Sequence, residues 1–501
     1  MNNYARENRP WLIWLTIIAV ILACVGVFFY YTLLRQSKSE LIEAIPTDAT
    51  FIFVINDNDA FVRDTKSVTP YLNELFLLDA LPAYETMRGK LPSGEYDLTV
   101  SGHTENDAIS ILFNMHSDKA AFKRLLRALS IDPNNYTAFE NNRIYTYGTN
   151  FKSVKFVYTN HIISFSTDVE LLKRAIVQHA HPKNLLSDKQ FKEMYNLTEK
   201  NRKQNWLIVN PERYSPYFST FLKDDLAKKM SKCLTEAGWT ALQLRFSGNE
   251  MFMSGYMFSA DTSGKGFCRY LKTEKGGGSD MSELLPYTVN WYADLKNGSD
   301  LWDYAMEYRM AHVDEGVAAA MRDLSPTEIC CFSLSADSID YRYYLVLPDT
   351  SHDFLSALYA DMHMADSIRN AHPNGIYPVI NKIAHLMPNL APDTMNWVFA
   401  NGRSIVFAPS AEAVTVFQKI VKSKGALNQN RYYPFVNEAI ASSSVYRYVL
   451  FNNETLPFLS SQLSDKGNAS RFGKELRIFS LSCETMEKDN NLLPVNLYLL
   501  F

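Results

Sequence analysis

Two stretches of the chain resemble each other in sequence order, and this internal duplication constrains the fold more than any other feature. Leu98 corresponds to Cys330, which lies 232 positions later, and the strand-like residues that follow keep the same offset. The offset is 240 at Pro46 and has grown to 243 at Phe258. A slowly drifting register over most of a chain is typical of a tandem copy, in which each copy is one structural module.

A short stretch rich in charge and glycine separates the two copies. Residues 273–280 read TEKGGGSD, a composition typical of a flexible linker. The sequence therefore predicts a first repeat half over residues 41–272 and a second over residues 281–501. Each half is long enough to bury a core of its own.

Strand and helix patterns alternate irregularly within each copy. Residues 51–55 place apolar side chains at every second position, as in a strand, and Ser117-Asp118 precedes an apolar stripe at helical spacing. Thr159–His161 and Asn401-Gly402 are hairpin signals between strand-like runs. We therefore predict an α+β protein: an N-terminal transmembrane helix followed by two duplicated α+β halves with largely antiparallel sheets.

An uncharged run of 24 residues extends from Trp11 to Leu34. About 20 apolar residues in a helix cross a hydrocarbon core of roughly 30 Å. Tryptophans lie at one end of the run and tyrosines at the other, as in an aromatic belt. The sequence predicts a cytoplasmic head over residues 1–10, a transmembrane helix over residues 11–34, and a single-pass inner-membrane protein whose bulk lies in the periplasm or outside.

Two other readings of this run stay open. A cleaved signal peptide has a shorter apolar stretch and a small-residue cleavage site, and neither is present here. The tetrad Ile21–Cys24 loosely resembles a bacterial lipoprotein box, although the ten residues after Cys24 remain apolar. The charge bias across the run is weak, so the orientation with the N-terminus inside is a prediction from few residues.

Charge and cysteine content exclude several classes of protein. The chain has 50 Lys+Arg against 54 Asp+Glu, which removes the electrostatic argument for a nucleic-acid binder. Its six cysteines include one in the apolar run and form neither a disulfide framework nor a CxxC pair. A pairing of Cys233 with Cys268 stays open.

No recognisable constellation for chemistry is visible in the sequence. Phosphate-binding loops, dinucleotide fingerprints and a GxSxG elbow are absent. His179 and His181 flank one residue at a helix end, and Asp361, His363 and Asp366 share a short segment, but no further metal ligands are near either group in sequence. We predict no catalytic, cofactor-binding or metal-binding residue and no cofactor.

The opening Ile45-Pro46-Thr47-Asp48-Ala49 and the repeat of 156–176 in 397–420 resemble bacterial envelope proteins, particularly of Bacteroidota, that are classed as a domain of unknown function. The similarity extends over most of the chain after Glu40. The resemblance implies an anchored envelope protein, and no activity or site residue comes with it.

These observations favour binding over catalysis. We predict an anchored extracytoplasmic protein that binds a protein, peptide or envelope polymer in a cleft between the duplicated lobes, with the membrane as a partner and no nucleic acid. An envelope hydrolase with a site assembled from distant loops is an alternative, because serine, histidine and acid need not be neighbours in sequence. A structural envelope scaffold is a third hypothesis.

Overall fold

The structure, a computed structural model, describes most of the chain after residue 40. The described residues are 41–56, 58–76, 97–105, 108–148, 153–181, 183–200, 203–217, 223, 228, 237–259, 271, 274–296, 325–336, 339–348, 376–378, 397–452, 474–485 and 491–501. The predicted head 1–10, the predicted span 11–34, Cys233, Cys268 and the segment 361–366 lie outside them. Among the described helices, none combines the length and apolar character needed to cross a membrane.

Nineteen strands make up the main framework of the described chain. The strands of the first segment are β1 (Phe51–Ile55), β2 (Leu98–Glu105), β3 (Ala108–His116), β4 (Thr137–Phe139), β5 (Asn142–Tyr147), β6 (Val154–Thr159), β7 (Ile162–Ser166), β8 (Asn205–Val209), β9 (Ala237–Ser247) and β10 (Glu250–Ser259). Those of the second segment are β11 (Val289–Lys296), β12 (Pro326–Ala336), β13 (Ile339–Pro348), β14 (Ile376–Pro378), β15 (Trp397–Asn401), β16 (Ser404–Ala408), β17 (Ser444–Phe451), β18 (Ile478–Glu484) and β19 (Leu492–Leu500).

Helices cover this framework and connect its strands. The α-helices are α1 (Asn58–Thr65), α2 (Thr69–Phe76), α3 (Lys119–Ala128), α4 (Val169–Ala180), α5 (Lys189–Lys200), α6 (Pro211–Tyr214), α7 (Met281–Leu284), α8 (Ala411–Lys424) and α9 (Tyr433–Ala439). The 3-10 helices are η1 (Leu41–Ala44), η2 (Leu185–Ser187), η3 (Ser215–Tyr217) and η4 (Leu427–Gln429).

Local sequence signals account for several of these elements. Asp118 caps α3 by accepting a hydrogen bond from the backbone of Ala121, which confirms the predicted start of that helix. The predicted hairpin at Thr159–His161 is confirmed, since Thr159 pairs with Ile162 across the turn. Asn160 and His161 both have positive φ, as such a two-residue turn requires.

The strands of the two segments pair in the same order. In the first segment, β1 lies between β2 and β8, β3 joins β2 to β7, and β8, β9 and β10 follow as neighbours. In the second, β11 lies between β12 and β17, β13 joins β12 to β16, and β17, β18 and β19 follow. Internal duplication remains a prediction, with which this shared order agrees.

The predicted fold class, two α+β halves with their own antiparallel sheets, is wrong. Strands of both segments form one continuous antiparallel sheet of 18 strands, and β4 extends it by pairing with β5. The join is the pairing of β10 with β19, from Glu250 opposite Leu500 to Phe258 opposite Leu492. The alternation of apolar residues indicates which face of a strand is buried. It does not indicate which other strand will pair with the strand at the edge of a sheet and satisfy its free backbone hydrogen-bonding groups.

Hydrophobic cores lie on both faces of the sheet at this join. Met251, Met253 and Leu499 belong to the core of the first segment. Tyr498 belongs to the core of the second segment, and the half-buried Phe252 packs against it. Because neighbouring side chains of a strand point to opposite faces, the two cores lie on opposite faces of the sheet at β10 and β19.

Candidate functional site

A group of polar and aromatic side chains, two of them exposed and four partly exposed, lies on one face of the join in the middle of the sheet. We call this group the seam surface, and it consists of Gln243, Arg245, Phe252, Ser254, Tyr256 and Asn496. The strand register brings the group together, since Ser254 of β10 lies opposite Gln243 of β9 and opposite Asn496 of β19. Tyr256 is 41% exposed, one of the few large apolar side chains of the described chain that are.

Contacts with two neighbours hold the ring of Phe252 in place. Phe252 lies opposite Arg245 in the ladder, and the guanidinium carbon is 5.6 Å from the centre of the Phe252 ring. The same ring packs 4.6 Å from the ring of Tyr498 beneath it. Asn496 donates a hydrogen bond of 3.3 Å to Glu484, so its amide is oriented before any ligand arrives. Flat rings beside amides and a hydroxyl can stack against a ligand and hydrogen-bond to it.

The approach of β9 to β10 requires a glycine under this surface. A Cβ atom at Gly255 would lie 2.0 Å from the carbonyl oxygen of Ala241 on the neighbouring strand. In the stretch MFMSGYMF, Met251 and Met253 alternate with Phe252, Ser254 and Tyr256, so the two sets lie on opposite faces of the strand. This alternation is the sequence signal that could have indicated a second, solvent-facing side of β10.

A second group of polar residues is buried in the first segment, where Asp48, His103 and Ser101 form a chain. Ser101 and His103 are two residues apart on β2 and therefore face the same side. Ser101 Oγ is 3.0 Å from His103 Nε2, and His103 Nδ1 is 3.0 Å from an oxygen of Asp48. This is the hydrogen-bond order of serine, histidine and acid in acyl-transfer enzymes.

The chain of three is closed to solvent at its serine end. Ser101 and His103 are both 0% exposed. Burial lowers the pKa of His103, so the imidazole is neutral, donates from Nδ1 to Asp48 and accepts from the Ser101 hydroxyl. Burial alone would raise the pKa of Asp48, but the hydrogen bond from His103 and the charge of Arg174 hold it well below its usual range.

Asp48 belongs to a loop that the surrounding elements hold tightly. We call Ile45–Ala49 the opening loop, and Arg174 of α4 forms an ion pair with its Asp48. Arg213 of α6 donates to the carbonyl oxygens of Thr47 at 2.7 Å and of Ala49 at 3.2 Å, while stacking on Trp239. The buried chain and Arg213 together fix the start of the described chain to the sheet, a role that the sequence analysis did not assign to these residues.

A third group, of four charged residues, is buried in the second segment. We call Asp294, Lys296, Glu328 and Arg447 the charge cluster. Arg447 donates to Asp294 at 3.1 Å, and Lys296 donates to Glu328 at 2.7 Å. Asp294 and Glu328 are 0% exposed, and Arg447 is 3% exposed.

The pKa values of the two carboxyl groups of the charge cluster are shifted in opposite directions. Burial raises the pKa of Asp294 well above its usual range, and the charge of Glu328 adds to this effect although Arg447 opposes it. Burial would also raise the pKa of Glu328, but hydrogen bonds from Asp294 and Lys296 lower it. Asp294 Oδ1 has no hydrogen-bond partner among the described residues.

The charge cluster holds the segment that was predicted as a linker. Glu328 accepts hydrogen bonds from the hydroxyl of Ser279 and, at 3.1 Å, from the backbone of Asp280. Arg447 donates to the carbonyl oxygen of Gly277. A Cβ atom at Gly276 would lie 1.6 Å from the carbonyl oxygen of Ser443, so the strap formed by residues 276–280 lies against the end of β17.

The residues weighed as metal ligands do not assemble into a site in the described chain. His179 lines a small cavity of about 10 Å³ between η1 and α4, and neither of its ring nitrogens has a hydrogen-bond partner among the described residues. His181 lies at the exposed end of α4 and contacts Lys183. Within the part of the chain that the structure describes, no group of three or more His, Cys, Asp and Glu is placed to hold a metal ion.

Comparison with known proteins adds one partial likeness. No protein-family model matches the chain, and no curated protein matches it. The chain is similar to a solved structure described as "Structure of crystal form I of TP0453", with a TM-score of 0.27 and 8% sequence identity. The similar region covers 45% of this chain and 81% of that chain. At this level of likeness, neither a shared fold nor a shared function follows.

Proposed function

We propose that the protein is anchored in the inner membrane by residues 11–34 and binds an envelope polymer outside the cytoplasm at the seam surface. The length of the uncharged run supports the anchor. The observation that carries the binding function is the seam surface itself, where the exposed ring of Tyr256 lies beside partly exposed amides and a hydroxyl between the two segments. It takes the place of the predicted cleft between lobes, because the segments share one sheet.

The side chains of the seam surface fit a polymer of sugar rings better than a folded protein. Tyr256 and Phe252 offer ring faces, and Gln243, Ser254 and Asn496 offer donors and acceptors for hydroxyl and amide groups. A stable protein interface usually buries about 800 Å² on each partner around an apolar centre. Six half-exposed, mostly polar side chains are a smaller and more polar patch than that.

The proposal can be tested with isolated peptidoglycan sacculi, which carry both sugar rings and amides. We expect the full chain in detergent to be retained on sacculi, and Tyr256→Ala combined with Asn496→Ala to weaken retention at least tenfold. Tyr136→Ala is the matched control, because Tyr136 is 39% exposed on another part of the first segment.

Two results would overturn the polymer hypothesis. Equal retention of the control and of the double variant would show that the seam surface does not bind the polymer. A photo-crosslinking amino acid at position 256 that captures one protein in intact cells, with no retention on sacculi, would assign the surface to a protein partner.

The Asp48–His103–Ser101 chain supports a second candidate, an envelope hydrolase. Its hydrogen-bond order is that of an acyl-transfer triad, but the 0% exposure of Ser101 leaves its hydroxyl without access to a substrate. We therefore expect the full chain to resist a fluorophosphonate probe. The control is Ser110→Ala, because Ser110 lies on the neighbouring strand β3. Labelling that is lost in Ser101→Ala but kept in Ser110→Ala would reverse this conclusion in favour of the hydrolase.

A further inference from the structure

The described chain begins with a helix that is already packed into the body. Leu41, Ile42 and Ala44 of η1 are 6%, 1% and 3% exposed. Leu41 and Ala44 pack with Ile162 of β7, while Ile42 packs in the core beneath η2 and α5. Helix α4 also contacts η1. The protein chain therefore enters its folded body at the surface formed by η1, α4 and η2.

Only six residues, 35–40, separate the proposed anchor from η1. An extended chain spans at most about 3.6 Å per residue, so η1 lies within roughly 25 Å of the end of the span. That distance is small compared with a domain of this size, and one side of the body must therefore lie close to the bilayer.

The opening loop keeps that side from turning away. Asp48 is bound by His103 of β2 and by Arg174 of α4, and Arg213 binds the carbonyl oxygens of Thr47 and Ala49. The backbone of Thr50 then donates to Gly102 and accepts from Asn210. Since these contacts come from three different elements, the first residues of the body cannot pivot without breaking them.

We propose that the exposed side of α4 at its C-terminal end, together with His181 and Lys183, forms a surface that lies against phospholipid headgroups. This inference rests on the proposed anchor. Val177 points away from the buried side of α4 and is 47% exposed, while His181 and Lys183 are exposed beside it. An apolar side chain near a lysine is a combination that suits the interface between headgroups and water.

The surface can be tested in proteoliposomes of phosphatidylethanolamine and phosphatidylglycerol that contain nitroxide-labelled lipid. A fluorescent amino acid is placed at Val177 or, as the matched control, at Phe435, which is 37% exposed in α9 of the second segment. We expect the lipid quencher to lower emission at position 177 at least twofold and to leave emission at position 435 unchanged. Liposome flotation of each labelled full chain is measured in parallel.

The two measurements separate the anchor from the orientation. If the protein does not float with the liposomes, the proposed anchor fails and this inference fails with it. If the protein floats but position 177 is quenched no more than position 435, the anchor stands and the membrane-facing surface is wrong.

Discussion

At the scale of single residues, the two segments differ most where the second buries charge. Val54 of β1 pairs with Trp206 of β8 in an apolar core, whereas Asp294 of β11 pairs with Arg447 of β17. Val54 and Asp294 are 240 positions apart, the offset already seen at Pro46. Because an apolar pair at this position is compatible with the same strand order, the fold does not require the charges, and desolvating them costs several kcal/mol per ion. The cluster leaves no signal in the sequence, since its members are separated by up to 153 residues.

The raised pKa of Asp294 in the charge cluster predicts a pH dependence of stability. When a carboxyl group has a higher pKa in the folded protein than in the unfolded chain, its contribution to the free energy of unfolding is fully present at pH values below the unfolded pKa. This contribution is lost as the pH rises through the folded pKa. Asp294 has such a raised pKa. We expect the free energy of unfolding to fall as the pH rises above the unfolded pKa of about 4, and to fall more steeply in the natural protein than in Asp294→Asn, which carries no charge at any pH. Urea unfolding across this range measures it.

The control for this experiment removes the other carboxylate. Glu328→Gln leaves Lys296 buried without its counter-charge, so we expect the variant to lose about 3–5 kcal/mol at neutral pH. Parallel pH profiles for the natural protein and Asp294→Asn would contradict the raised pKa of Asp294.

At the scale of elements, the amino-acid composition of the glycine-rich strap does not predict how tightly the strap packs. Three glycines among charged residues are typical of a flexible linker, yet Gly276 is needed for close contact with the backbone at Ser443. Hydrogen bonds join the strap to β12, β17 and Thr485. A local pattern cannot distinguish a glycine that provides flexibility from one that provides space, because the neighbour that needs the space is distant in sequence.

The strap offers a matched pair of substitutions. Gly276→Ala should lower the free energy of unfolding by about 1–3 kcal/mol, because its Cβ would overlap a backbone carbonyl oxygen. At Gly278 a Cβ would meet no atom within 4 Å, so Gly278→Ala should leave stability within about 0.5 kcal/mol. Thermal and urea unfolding of both variants provide the comparison, and equal effects would mean that the strap is not packed as described.

At the scale of the whole molecule, the β10–β19 pairing makes the two segments depend on each other. Leu476 and Leu499 of the second segment are buried in the core of the first, and Phe252 of the first packs on the core of the second. A continuous sheet with cores shared in this way has no plane along which one segment separates without exposing apolar surface.

This arrangement predicts that the segments unfold together. Leu499→Ala should cost about 2–5 kcal/mol and should shift the unfolding of both segments equally. Hydrogen exchange of β2 and β13 during urea unfolding reports each segment separately. Two distinct transitions, with only one moved by the substitution, would show that the segments are independent domains.

The sequence by itself determined the local features of this protein: the alternation of its strands, the caps of α3 and the hairpin before β7, and an order of elements that occurs twice. These depend on contacts between near neighbours, which leave periodic patterns. Only the tertiary structure decided that the last strands of the two segments pair, that Asp48 meets His103 and that the charge cluster forms around the strap. Those contacts join residues far apart in sequence, and the hydrogen bonds and charges that stabilise them leave no periodic trace in either partner's neighbourhood.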